Sequence, residues 1–247
     1  MDDIRRPVST LAPYGRDDPA PLGPEEPVWY AAYGSNMHAD RLACYIAGGR
    51  PSGAARVYPG CRDRRLPRRT VPVLLPGLLY FALESLVWTG GMAFYDPAPA
   101  GEKPGQTPGT TPGQPLQGTP ARAYLITAGQ FADIAAQEMH RPPGADLDLA
   151  RVLAAGRDRT GPGRYQTLVC PGALDGIPLC TFTAPWALAD AELSAPSAGY
   201  LRTIAGGLAE AHRWPPARCA DYLATRPGAA GHWSTEDLLD VLRRPPL

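Results

Sequence analysis

Proline, more than any motif, limits what this sequence can become. Each proline fixes φ, removes a backbone donor and interrupts a helix interior or a central strand. There are 30 of them beside 27 glycines in 247 residues, about twice the usual combined share. They are unevenly spread. Pro7, Pro13, Pro19, Pro21, Pro24 and Pro27 punctuate the first 27 residues among scattered charges, so residues 1–27 read as a disordered leader with no apolar face to pack. A second stretch, Pro97 to Pro120, contains GEKPGQTPGTTPGQPLQGTP and lacks apolar periodicity. Strand-like runs flank it, so it reads as a flexible loop inside one domain. The expected organisation is a leader at 1–27, a domain at 28–225 with its loop at 97–120, and a C-terminal extension with a short helix at 226–247.

Between these stretches, Val28–Tyr33, Leu78–Leu83, Gly91–Tyr95, Ala121–Ile126, Tyr165–Cys170 and Ile177–Thr183 are rich in aromatic or β-branched residues and bounded by Gly or Pro, as strands are. Helices are predicted over Met37–Ala47, halted by Gly48-Gly49, and from the capping box Thr127-x-x-Gln130 to Arg141, halted by Pro142-Pro143. Further helices are predicted over Leu147–Ala155, behind Ser197 with Tyr200, Ile204 and Leu208 in register, from Pro215-Pro216 through Leu223, and behind Ser234. The order is neither all-β nor a strict strand–helix alternation. It favours an α+β fold, a mixed β-barrel-like sheet flanked by helices.

Lys+Arg and Asp+Glu both number 24, so no global field draws the chain to nucleic acid or anionic membrane. A small-molecule partner is the expectation. No apolar run nears the roughly 20 residues of a bilayer span and the first residues are acidic, so a cytoplasmic location is expected. Five scattered cysteines, Cys44, Cys61, Cys170, Cys180 and Cys219, form no Cys-x-x-Cys pair, and neither metal nor other cofactor is expected.

Chemistry concentrates in Trp29-Tyr-Ala-Ala-Tyr-Gly-Ser-Asn-Met37, an apolar strand running through a Gly turn into a helix start. Unpaired amides converge at such a turn and the helix dipole favours negative charge. Gly34 admits a ligand close to the backbone, while Ser35 and Asn36 can cap the helix or donate hydrogen bonds. A plain strand–turn–helix with a polar cap would look the same. Ala32-Tyr33-Gly34-Ser35-Asn36-Met37 nevertheless resembles the signature of the γ-glutamyl cyclotransferase superfamily. Trp88-Thr-Gly-Gly-Met-Ala-Phe94 resembles its Gly-Gly strand, Ala121–Ile126 the strand entering its helix, and Phe131-Ala-Asp-Ile-Ala-Ala-Gln-Glu138 the helix ending in its catalytic Glu. Pro196–Ile204 is similar to the C-terminal helix of bacterial members of the actinobacterial type. A departure is Met139-His-Arg-Pro-Pro after Glu138, where some members carry an aromatic.

The resemblance implies the γ-glutamyl cyclotransferase-like fold, Glu138 as the catalytic proton carrier, and Tyr33, Gly34, Ser35, Asn36 and Met37 as substrate-binding residues. It implies a γ-glutamyl amine or related amide as substrate, with 5-oxoproline and a free amine as products and no cofactor. Three alternatives stay open. His38 follows Ser35 by one helical turn, the spacing of a nucleophile–base pair, although Gly-x-Ser-x-Gly is absent. The pocket could also serve another amide or acyl transfer, or only bind a small molecule. The arginines at 62, 64, 65, 68 and 69 could hold an acidic ligand or RNA, but with zero net charge and no interleaved aromatics they read as a solvated loop.

Overall fold

A computed structural model describes residues 8–15, 21–51, 56–85, 87–97 and 118–244. Most of the 97–120 loop lies outside the described residues, as do parts of the leader. The strands are β1 (Pro27–Ala32), β2 (Arg69–Leu75), β3 (Leu78–Ala82), β4 (Met92–Asp96), β5 (Thr119–Thr127), β6 (Arg157–Arg159), β7 (Thr167–Leu174) and β8 (Ile177–Thr183). The helices are α1 (Ala39–Ala47), α2 (Ala128–Glu138), α3 (Ala150–Ala155), α4 (Ala198–His212), α5 (Pro216–Ala224) and α6 (Thr235–Arg243). The fold is α+β, as the order of elements predicts.

All six predicted strands form, and two more join them. The pattern hides β2 because Pro72 sits in its middle, where it pairs with Arg122 of β5. Proline is tolerated there only because the other side of β2 is an edge. β6 is three residues of alternating charge with no apolar signal. One helix starts later than predicted: Ser35–Met37 forms a 3₁₀ turn, and His38, extended at ψ 120°, separates it from α1. α3 is likewise shorter than Leu147–Ala155.

Six strands form one sheet in the order β2-β5-β1-β8-β7-β6, and β3 with β4 forms a separate hairpin. β1 runs parallel to β8 and every other pairing is antiparallel. The sheet curls. Ser9 donates to Pro72 O at 3.0 Å, while Ala12 exchanges two hydrogen bonds with Ala173 of β7, at 3.0 and 2.8 Å. Residues 9–12 therefore reach both β2 and β7, and the Arg69–Asp175 ion pair at 3.0 Å spans the same gap. Part of the 1–27 segment thus acts as a stave lying across the gap of an otherwise open, barrel-like sheet, a placement its composition does not announce. Gly172 makes room: at φ +154°, any Cβ would stand 2.6 Å from Ala12 O.

The capping signals form as read. Thr127 and Gln130 make a reciprocal capping box at α2, Ser234 and Asp237 another at α6, and Ser197 Oγ accepts from Tyr200 N at α4. Among the described residues no helix is long and apolar enough to cross a membrane.

Candidate functional site

Strand and helix lengths bring the site together. β5 is antiparallel to β1 with Thr127 opposite Pro27, so α2 starts beside the beginning of β1 and runs back across the sheet. Eleven helical residues advance about 16 Å, close to the roughly 17 Å that separates the ends of a six-residue strand. The last residue of α2, Glu138, therefore arrives at the turn after β1. Asn36 Nδ2 donates to Glu138 Oε1 at 2.7 Å and to Tyr30 OH at 3.3 Å, joining groups 102 positions apart. Asn36 Oδ1 is buried and, among the described residues, without a donor.

Two cavities meet at Glu138. The inner one, about 40 Å³, is lined by Tyr30, Tyr33, Gly34, Ser35, Asn36 and Glu138, closed by Ala93, Tyr165, Phe182 and Tyr200. The outer one, about 370 Å³, includes Met92, Glu138, His140, Arg141, Arg164 and Gln166 in its wall. The amides of Gly34, Ser35 and Asn36 open the turn and have no backbone acceptor among the described residues. The inner chamber is thus walled by donors on one side, a carboxylate on another and phenols around both.

Those phenols stay protonated. Burial, then the Glu138 carboxylate, pushes Tyr30 well above its ordinary value. Burial alone leads for Tyr33 and Tyr165, and it raises Tyr200 to about 12. Tyr33 OH donates to Phe182 O at 2.8 Å and Tyr200 OH accepts from Ala93 N at 3.2 Å, so both rings are fixed. Outside the pocket, the turn is held from behind. Tyr124 OH donates to Asn36 O and Met37 O at 2.9 and 3.0 Å. Arg122 reaches Met37 O at 3.1 Å and Glu210 at 2.7 Å.

Tyr33, Gly34, Ser35, Asn36 and Glu138 are thus brought together. Met37 is not in the lining: its side chain is fully buried, set against Gly207 of α4, whose hydrogen sits where a Cβ would collide with Met37. Ser35 and His38 are not brought together either. Ser35 Oγ accepts from Arg41 Nε at 3.0 Å, and His38 Nδ1 lies 3.3 Å from Glu210. The arginine cluster is largely satisfied by its own loop and neighbours, with Arg62 on Asp133 and Asp146, Arg65 on Asp63 and Glu25, and Arg69 on Asp175. All five cysteines are free thiols, four of them buried. No cluster of potential metal ligands occurs among the described residues.

The fold and site define a barrel-like α+β protein with one carboxylate presented to a small, donor-lined, phenol-ringed chamber. No family model matches the sequence. Among curated proteins, histone deacetylase 5 of Arabidopsis thaliana is 32% identical over 204 residues, 75% of this chain. The chain spans only 28% of that protein's length. Two solved structures are similar in arrangement. One is a γ-glutamyl cyclotransferase (TM-score 0.44, 15% identity) and the other the uncharacterized human protein loc79017 (TM-score 0.45, 17% identity). Each match covers 89% of this chain and all of the other.

Proposed function

We propose that this protein is a γ-glutamyl cyclotransferase-type enzyme that cleaves a γ-glutamyl amine by intramolecular aminolysis, releasing 5-oxoproline and the free amine. The observation that carries this reading is the 2.7 Å contact between Asn36 of the turn and Glu138 at the end of α2, at the junction of the two cavities. In this reading the glutamyl head occupies the inner chamber and the departing amine points into the outer one. The α-ammonium gives a proton to Glu138, and its nitrogen lone pair attacks the γ-carbonyl carbon of the same molecule. The oxyanion that forms is met by the amides of Gly34, Ser35 and Asn36. Collapse breaks the bond to the amine nitrogen, which takes that proton back from Glu138, and the second proton that the ring nitrogen sheds passes by the same carboxylate to the departing amine, leaving a neutral lactam and an ammonium.

One carboxylate suffices because each proton it accepts from the ring nitrogen it returns to the departing amine, and no side-chain nucleophile takes part. Ring closure is intramolecular, so a chamber that holds the chain folded lowers the barrier by several kcal/mol through orientation. The buried, donorless Asn36 Oδ1 supports the reading further, since an ammonium beside Glu138 would supply a donor there.

The test is product mass from a panel of γ-glutamyl amines with wild type and Glu138→Gln. Wild type should release 5-oxoproline. Glu138→Gln, equal in shape but unable to carry the proton, should lose about a hundredfold or more in turnover while keeping its circular dichroism. A folded Glu138→Gln protein working near the wild-type rate would remove the role assigned to Glu138.

A further inference from the structure

One charge beside the chamber has no counterpart in that mechanism. Arg41, in the first turn of α1, is only 6% exposed. Arginines this deep are normally matched by a carboxylate, yet among the described residues none touches it. Its Nε donates to Ser35 Oγ at 3.0 Å and one Nη to Tyr58 OH at 3.0 Å. Aromatic faces surround the rest. The guanidinium carbon is 5.0 Å from the Trp88 ring centroid and 5.7 Å from those of Tyr45 and Tyr58. Burial opposes its charge and the Glu138 carboxylate favours it, and a guanidinium stays cationic.

The contact with Ser35 has a direction. A hydroxyl that accepts from a guanidinium has its own proton to give; Ser35 lines the inner chamber, where that proton faces the Tyr200 hydroxyl. The Ser35 hydroxyl then offers an incoming group a donor besides the turn's amides, backed by a full positive charge one residue deeper. Across the chamber, beside Asn36, stands the opposite charge, Glu138. A positive and a negative pole flanking a space this small match a zwitterionic α-amino-acid head.

We propose that Arg41 is a positioning residue which, through the Ser35 hydroxyl, holds the substrate's α-carboxylate, so that the α-amine is delivered to Glu138. This rests on the cyclotransferase reading. The charge that no described carboxylate of the protein matches is matched by the substrate. Recognition therefore depends on the carboxylate and not only on the γ-amide. A head lacking it, able to undergo the same ring closure, is a poor ligand.

The test pairs two lactams that differ only in that group, 5-oxoproline and 2-pyrrolidinone, by titration calorimetry on wild type, Arg41→Met, Arg41→Lys and Ser35→Ala. Wild type should bind 5-oxoproline at least about tenfold more tightly, the low end for a charge-assisted hydrogen bond. Arg41→Met should reduce that ratio to below about threefold, leaving 2-pyrrolidinone binding unchanged, and Arg41→Lys should restore part of it. Ser35→Ala should also lower the ratio, which keeps the proposal testable if Arg41→Met does not fold. In turnover, Arg41→Met should raise KM for a γ-glutamyl anilide and leave the smaller rate on a 4-aminobutanoyl anilide unaltered. Equal binding of the two lactams by wild type, or undiminished discrimination in folded Arg41→Met, overturns the proposal. Intact discrimination without any 5-oxoproline release overturns the reaction instead and leaves the anion receptor standing.

Discussion

Asn36 is the residue on which the site turns, because its carboxamide is the direct link between the β1 turn and Glu138. Replacing the amide nitrogen by a carboxylate oxygen tests that link. In Asn36→Asp two carboxylates would face each other across about the distance of a shared proton, and like charges that close cannot both ionise. The acidic limb of the kcat/KM profile should move to higher pH by a unit or more, with activity at neutral pH lowered accordingly. An unmoved limb would mean that Asn36 does not govern the proton carrier. At this scale the sequence announces about half of the chamber. Tyr33, Gly34, Ser35 and Asn36 are legible because a strand, a glycine and a polar helix start follow one another. Glu138 is legible only through the matched helix segment. Tyr165, Phe182 and Tyr200 are not, since each reaches the chamber from a distant part of the chain and reads locally as an ordinary core aromatic. Arg41 is visible in the sequence, but nothing local says that its charge goes unmatched.

At the scale of elements, α2 carries the largest burden, since its length sets where Glu138 arrives. Its start is fixed by the reciprocal bonds of Thr127 and Gln130, both 3.1 Å, and Gln130 Nε2 also ties down the carbonyls of Asp63 and Arg65. Near its other end Gln137 Nε2 donates to Tyr45 O at 2.9 Å. Thr127→Ala removes one half of the box and should cost about 1 kcal/mol of stability, read as a lower denaturant midpoint at unchanged slope. Turnover should fall less than about threefold, because the Gln137 anchor near Glu138 survives. A hundredfold loss would show that the cap, not that anchor, positions the carboxylate. Elements with caps and flanking breakers are those the sequence reveals best. β2 and β6 escape it for opposite reasons, one carrying a proline that only its edge position excuses, the other too short and charged to show a pattern.

For the whole molecule, the many buried phenols set an alkaline limit. Tyr30, Tyr33, Tyr45, Tyr165 and Tyr200 are all raised, chiefly by burial, with Tyr200 at about 12. An unfolded tyrosine ionises near 10, so between that value and the folded one the unfolded chain has released protons that the folded chain keeps. Stability is therefore full below about pH 10 and falls as pH rises beyond it. Denaturant midpoints from about pH 8 to about pH 11 should be flat and then drop, with phenolate absorbance appearing together with loss of ellipticity. Gradual ionisation at constant ellipticity would mean that these rings are accessible in the native state. Composition shows eleven tyrosines, but not that the barrel shuts them in.

The stave formed by residues 9–12 has a kinetic consequence during synthesis. Ser9 finds its partner once Val73 has emerged, but Ala12 must wait for Ala173, roughly 160 residues after it. At the ~5–20 residues per second of a translating ribosome, that wait is about 8 to 30 seconds. Throughout it the stave is held at one end only, on the outer edge of β2, in a crowded solution of other nascent chains. Pro72, which hides β2 from a reader of the sequence, is also what makes that edge a poor template for a stranger's strand.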